Sequence, residues 1–254
     1  MKKILLSLLT LCVAFSAQAR TFDEIKQSGI IKIGVPGDYA PLAFFNEQKN
    51  LVGFDVDMAK DLAKQLNLVP VFYITSWPTL SKDLADDKYD IAMGGVTYTK
   101  GRAEQFSLTN SVVPNGKIAL ASCQSAPKLT DINKINQPDV KVVVNPGGTN
   151  ESFVNGHIHT AQIIRVKNNF DNIQALRDKT ADMMVTDLIE GNYYEYKEPG
   201  VLCLATKTPF AGTKSYKAYM VQKQNGDLLN AMNQWLKVTN IEGVAKRWGV
   251  KAGN

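Results

Sequence analysis

The sequence predicts an α/β chain of two similar lobes, each a mostly parallel sheet covered by helices. Three observations carry that expectation. Strand-like and helix-like segments alternate along the chain, the rhythm of parallel strands joined by crossover helices. The rhythm runs from Ile30 to Gly95 and restarts at Val140. With 254 residues, 44% apolar and 21% charged, the chain has the length and composition of one large or two modest globular domains.

Each element follows from local pattern. The apolar run Ile30–Val35 predicts a strand, closed by the Pro36-Gly37-Asp38 turn. Apolar residues at 58, 59, 62, 63 and 66 have amphipathic spacing and predict a helix over 55–68. A second strand is expected at 69–74 and a short helix from Trp77-Pro78 to Leu84. A third strand at 89–93 stops at Gly94-Gly95. The second round begins with a strand at 140–144 and a tight turn over 145–150. A helix carrying Glu151 and Phe153, a strand at 163–166 and a helix over 172–178 come next. A strand at 181–185 opens at Thr186-Asp187 into a helix, and 228–248 reads as helices.

The ends and the charge bound the function. Met1-Lys2-Lys3, an apolar run to Phe15 and small residues at Ala17 and Ala19 have the form of a secretory leader cut after Ala19. The run is too short to span a bilayer, and Cys12 follows bulky Leu11 inside it, which argues against lipidation. The expectation is therefore an exported, soluble, periplasmic protein. Removing Lys2 and Lys3 leaves 27 basic against 24 acidic residues, a charge of +3 with no basic run, so no nucleic-acid partner is expected. Cys123 and Cys203 then remain, an even count in an oxidising compartment, and a structural disulfide is expected over the alternative of two buried thiols.

In open α/β sheets ligands bind beyond the carboxyl ends of the strands, where turns and helix N-termini expose backbone N–H groups. That rule points to Asp38 and Tyr39, Trp77, the stretch from Gly95 through Thr97 to Arg102, Asn145 to Thr149, and Asp187 to Glu190. Arg102 offers a planar fork for a carboxylate. Asn145, Gly148 and Thr149 supply side-chain and backbone donors to a second anion. Trp77 and Tyr39 are expected to line the cleft. Lys117 adds a positive charge, or else is a solvated lysine. Glu190 lies three residues after Asp187 at a helix start, so both can face the cleft, although a carboxylate there also suits the helix dipole alone.

Gly53-Phe54-Asp55-Val56-Asp57 and Tyr89-Asp90-Ile91-Ala92-Met93-Gly94-Gly95-Val96-Thr97, with Arg102 after them, resemble the signatures of family 3 periplasmic solute-binding proteins. The resemblance covers essentially the whole mature chain. It implies the type II periplasmic binding protein fold, with the chain crossing twice between lobes around a ligand cleft. The implied division is 1–19 leader, 20–113 with 211–254 as one lobe, and 114–210 as the other. It also implies that Arg102 clamps a ligand carboxylate and Asp187 takes an α-ammonium, with Thr97 among the ligand contacts.

Thr75-Ser76-Trp77-Pro78, Val144-Asn145-Pro146-Gly147-Gly148-Thr149-Asn150-Glu151 and Met183-Met184-Val185-Thr186-Asp187-Leu188-Ile189-Glu190 further resemble the cyclohexadienyl dehydratase branch of that superfamily. Its members act on prephenate and arogenate, and a glutamate matching Glu190 protonates the leaving hydroxyl. Ordinary amino-acid binders commonly carry threonine where Gly148 stands. Residues 106–113 depart from the usual Phe-Ser-x-Pro-Tyr run. The resemblance implies a dehydratase without cofactor, acting on a small dicarboxylate or amino-acid ligand. The alternative is a non-catalytic amino-acid-binding protein that serves an ABC transporter permease.

Other chemistries lack their residues. His157 and His159 are the only histidines and have no cluster to complete a metal site, so a surface loop is expected and no metal. That leaves no Ser-His-Asp or Cys-His arrangement. The Gly147-Gly148 turn lacks the Lys-Ser/Thr pair of a phosphate loop.

Overall fold

The computed structural model describes residues 19–252; the expected leader, apart from Ala19, lies outside the described residues. Two five-stranded sheets form two lobes. In the first, the strand order is Val69–Ile74, Ile30–Val35, Ile91–Ala92, Met220–Gln222 and Phe106–Leu108. In the second it is Gln162–Arg165, Lys141–Val144, Met183–Asp187, Lys117–Ser122 and Leu202–Leu204. In each sheet the fourth strand alone runs against the rest, so both are mostly parallel, as the alternating pattern predicts.

Each reversed strand follows a crossing between the sheets. Val113–Asn115 leads into Lys117–Ser122, and Ser215–Lys217 leads into Met220–Gln222. The two crossing strands pair antiparallel, Ser215 opposite Asn115 and Lys217 opposite Val113, and make a two-stranded ribbon between the lobes. These short strands, and the three-stranded sheet of Asp38–Tyr39, Ala43–Phe45 and Leu51–Val52, carry no usable period in sequence. Lys117–Ser122 is buried at all six positions and so lacks alternation.

Several boundaries move for physical reasons. The helix expected over 172–178 begins at Asn169, because the Asn168 side chain accepts from the Asp171 N–H at 3.0 Å and caps it. The strand expected over 181–185 runs Met183–Asp187, since Thr186 and Asp187 pair with Ile118 and Lys117. The helix expected from Trp77 is a turn that leads into Leu80–Ala85. His157 is not in a loop: it ends the helix Thr149–His157 and stacks on Phe153 with centroids 4.3 Å apart, one turn earlier where helical side chains meet. His159 lies beyond that helix.

Asp55 shows how the fold sets the site. It is buried in the first turn of the helix Phe54–Gln65. Its carboxylate accepts from Gly94 N at 3.1 Å, Gly95 N at 2.7 Å and the Tyr219 hydroxyl at 2.8 Å, which pins the turn after Ile91–Ala92. In the second lobe, Cys123 and Cys203 form a disulfide across 80 residues of chain, as the even count predicts.

Candidate functional site

The parallel strands of both sheets aim their carboxyl ends at one cavity between the lobes. Its lining comes from just past those ends: Tyr39, Trp77, Gly95 and Thr97 from the first lobe, and Asn145, Gly148, Thr149, Asn150, Asn169 and Asp187 from the second. Arg102 joins them from the helix Lys100–Gln105. The cavity is small, about 20 Å³, so the lobes are closed on each other. At the closure Gly147, φ +91°, lies against Pro78: a Cβ there would stand 2.3 Å from the Pro78 nitrogen.

A cation cluster dominates the floor. Asp187 Oδ1 accepts from Lys117 Nζ and Asn115 Nδ2, both at 2.7 Å. Oδ2 accepts from Lys217 Nζ at 2.7 Å and from the Tyr39 hydroxyl. Burial opposes the charge on Asp187, yet the two lysines overcome it and hold its carboxyl far below the usual carboxylate range. With four donors in place, its lone pairs are filled. In this form all four partners of Asp187, the residue expected to take a ligand ammonium, come from the chain itself.

Lys117, expected as an added positive charge, also reaches Thr149 Oγ1 at 2.6 Å and Asn150 Oδ1 at 2.5 Å, and burial lowers its pKa. Arg102 donates to the Thr97 carbonyl at 2.7 Å, its one hydrogen bond through the guanidinium among the described residues. Three cations, Arg102, Lys117 and Lys217, thus meet two carboxylates, Asp187 and Asp38, and the cavity favours an anion. Burial raises the Asp38 pKa.

A second group of donors lies at the start of the helix Thr149–His157. Its N-cap is Gly148, with no side-chain cap, so the first N–H groups of this helix are left without a side-chain acceptor. Glu151 braces the turn by accepting from Gly147 N at 2.8 Å and from Arg165 Nη1 at 2.7 Å. An aromatic wall stands opposite. Trp77 meets Tyr39 edge to face at 5.7 Å, and its indole N–H donates to Asp38 Oδ1 at 3.0 Å.

Glu190 is fully buried and lies behind the wall, not on it. Asn169 Nδ2 donates to its Oε1 at 2.6 Å, and Thr186 Oγ1 bonds its Oε2. Burial pushes its pKa up to about 8, so it holds its proton at neutral pH.

The strand-end rule, with the separately expected Lys117, brings nine expected contacts together: Tyr39, Trp77, Thr97, Arg102, Lys117, Asn145, Gly148, Thr149 and Asp187. All line the cavity except Lys117, which is bonded to three groups beneath it. It misses Lys217, Asn150, Asn169 and Asn172. Asn169 follows the strand Gln162–Arg165, and the same rule applied there points to it. Lys217 sits on a crossing strand of three residues, where no sequence signal marks it.

Residues 31–250 match the family described as bacterial extracellular solute-binding proteins, family 3. The chain is 33% identical over 234 residues to the cyclohexadienyl dehydratase of Pseudomonas aeruginosa, covering 92% of this chain and 86% of that one. It is 34% identical over 164 residues to the histidine-binding periplasmic protein of Escherichia coli, covering 62% and 58% of the two chains. Among solved structures it is similar to the ancestral amino acid-binding protein AncCDT-1, a precursor of cyclohexadienyl dehydratase. There the TM-score is 0.81 at 30% identity, with 89% of this chain and 98% of that one covered.

Proposed function

The chain belongs to the bacterial extracellular solute-binding proteins of family 3, and from that membership we propose that it is a periplasmic dehydratase of prephenate and arogenate, exported by a leader cut after Ala19. The observation that carries this reading is Glu190: a fully buried glutamate, its pKa pushed up to about 8 by that burial, behind a cavity with more positive than negative charge.

In this reading the prephenate dianion enters between parted lobes. Arg102 takes one carboxylate, and Asn145 with the N-terminal N–H groups at Gly148 and Thr149 takes the other. Lys117 and Lys217, tethered through Asp187, supply the field that favours a dianion, and Trp77 and Tyr39 flank the ring. Asn169 donates to Glu190 Oε1 and Thr186 to Oε2, which fixes the carboxyl group in place.

As the ring C–C bond to the carboxylate breaks, its electron pair enters the ring and the C–O bond to the ring hydroxyl breaks. The hydroxyl leaves as water with the Glu190 proton, and CO₂ departs. One proton is consumed, and phenylpyruvate remains as a monoanion. Aromatisation drives the step, and no cofactor is needed. Solvent reprotonates Glu190 when the lobes open.

The second reading is an amino-acid-binding protein of a transporter, supported by the resemblance to histidine-binding and ancestral amino acid-binding proteins. The two part in one assay. Purified protein incubated with prephenate at neutral pH is expected to form phenylpyruvate far above the spontaneous rate. Absence of product, with an amino acid raising the melting temperature, would sink the enzyme reading in favour of the binder.

A further inference from the structure

Asn172 does not itself line the cavity, yet it bonds two residues that do. It is 1% exposed, on the helix Asn169–Arg177. Its Nδ2 donates to Asn145 Oδ1 at 2.6 Å and to Asn169 Oδ1 at 3.3 Å, while its own Oδ1 has no partner. An asparagine side chain reads the same by shape with its oxygen and nitrogen exchanged, so the polarity of such a chain must be fixed by a group that can only accept or only donate.

That group is in the other lobe. Asn169 Nδ2 lies 3.1 Å from the Asp38 backbone carbonyl, which can only accept. The Asn169 atom facing it must therefore be the nitrogen, and Asn169 Oδ1 must face Asn172. Asn172 in turn must present its nitrogen, and Asn145 must answer with its oxygen. This leaves Asn145 Nδ2 free for the cavity, since its one other contact, the Pro146 carbonyl at 3.5 Å, is a poor hydrogen bond.

We infer that Asn172 is a positioning residue that passes the polarity of the Asp38 carbonyl to Asn145, so that lobe closure presents Asn145 Nδ2 as a donor to a ligand carboxylate. The inference rests on the reading above that the cavity takes a carboxylate ligand. The unpartnered Asn172 Oδ1 is explained by it: both protons of that amide are committed to neighbouring oxygens, and no donor is left on the other side. Leaving a buried acceptor unpaired is unfavourable, and the site tolerates it to keep one orientation of three amides.

The test is a double-mutant cycle read in the dissociation constant of phenylpyruvate, a stable carboxylate, and in KM and kcat for prephenate. Asn172→Asp removes the donating group and lets Asn145 turn its nitrogen inward. It is expected to weaken phenylpyruvate binding at least tenfold and to raise KM by a larger factor than it lowers kcat. In an Asn145→Ala background the same substitution is expected to change binding less than twofold. A full effect in that background, or native affinity in Asn172→Asp, overturns the inference.

Should Asn172→Asp fail to fold, Asn145→Asp decides. It keeps an oxygen for Asn172 and puts an acceptor where the donor stood. It is expected to weaken phenylpyruvate binding at least tenfold, and unchanged binding overturns the inference. A native protein that binds phenylpyruvate without turning over prephenate removes the enzyme reading alone, and the cycle in binding still decides this one. A native protein that binds neither overturns both.

Discussion

Glu190 carries opposite consequences for stability and chemistry. Its pKa rises from 4.5 to about 8 because the folded protein denies its carboxylate water. Below pH 4.5 folded and unfolded chains both hold the proton, and the residue is neutral to stability. Between 4.5 and about 8 only the folded chain holds it, so the unfolded state gains by ionising and stability falls as pH rises. Glu190→Gln mimics the protonated side chain and keeps partners for both Asn169 and Thr186. It is expected to stabilise the fold by on the order of 4 kcal/mol near pH 8 and by almost nothing below pH 4.5. Denaturant unfolding at both pH values measures this; a loss of stability at pH 8 would mean that Glu190 is ionised in the folded protein. Turnover should fall as pH climbs through about 8, where the acid loses its proton.

At the scale of elements, the glycine turn ahead of the helix Thr149–His157 separates two jobs. Gly148 has a φ of −112° and open space where a Cβ would go, with only Asn150 N at 4.0 Å. Gly148→Ser should fit there and cap the helix, a gain of a few tenths of a kcal/mol. The same cap competes for the N–H groups assigned to the ligand, so carboxylate affinity should drop severalfold; unchanged affinity in calorimetry would remove the helix N-terminus from the site. Gly147→Ala acts differently. Its Cβ meets Pro78 backbone at 2.3 and 2.5 Å in the closed form, so closure is blocked. A larger radius of gyration with ligand present, and loss of affinity beyond tenfold, is the expected result in solution scattering and titration.

These elements also show what the sequence tells and withholds. Arg102, Asn145 and Thr149 are legible because they follow strand ends, where the fold class alone says ligands bind. Asn172 and Lys217 are not, because a buried polar residue on a helix or a three-residue strand looks in sequence like a solvated one. The antiparallel strands of both sheets are hidden for a related reason: they are short or wholly buried, and alternation needs one wet face.

For the whole molecule, the disulfide serves stability apart from the site. The disulfide closes 80 residues entirely within the second lobe's span, between strands Lys117–Ser122 and Leu202–Leu204. In the chain-entropy model a loop of that size contributes about 4 kcal/mol. Cys123→Ala with Cys203→Ala should lower the melting temperature markedly yet leave ligand affinity of the folded protein within about twofold, because neither cysteine lines the cavity. A matching loss of affinity would mean that the bridge shapes the cleft itself. The closed cavity, its cation excess and its buried acid form one device only if the acid works. The most direct test is prephenate turnover by the native protein beside Glu190→Gln, with the affinity of both for phenylpyruvate measured in parallel. Rapid turnover that falls by several orders of magnitude in the variant, at nearly equal affinity, is the predicted result. Turnover that survives the substitution would contradict the account.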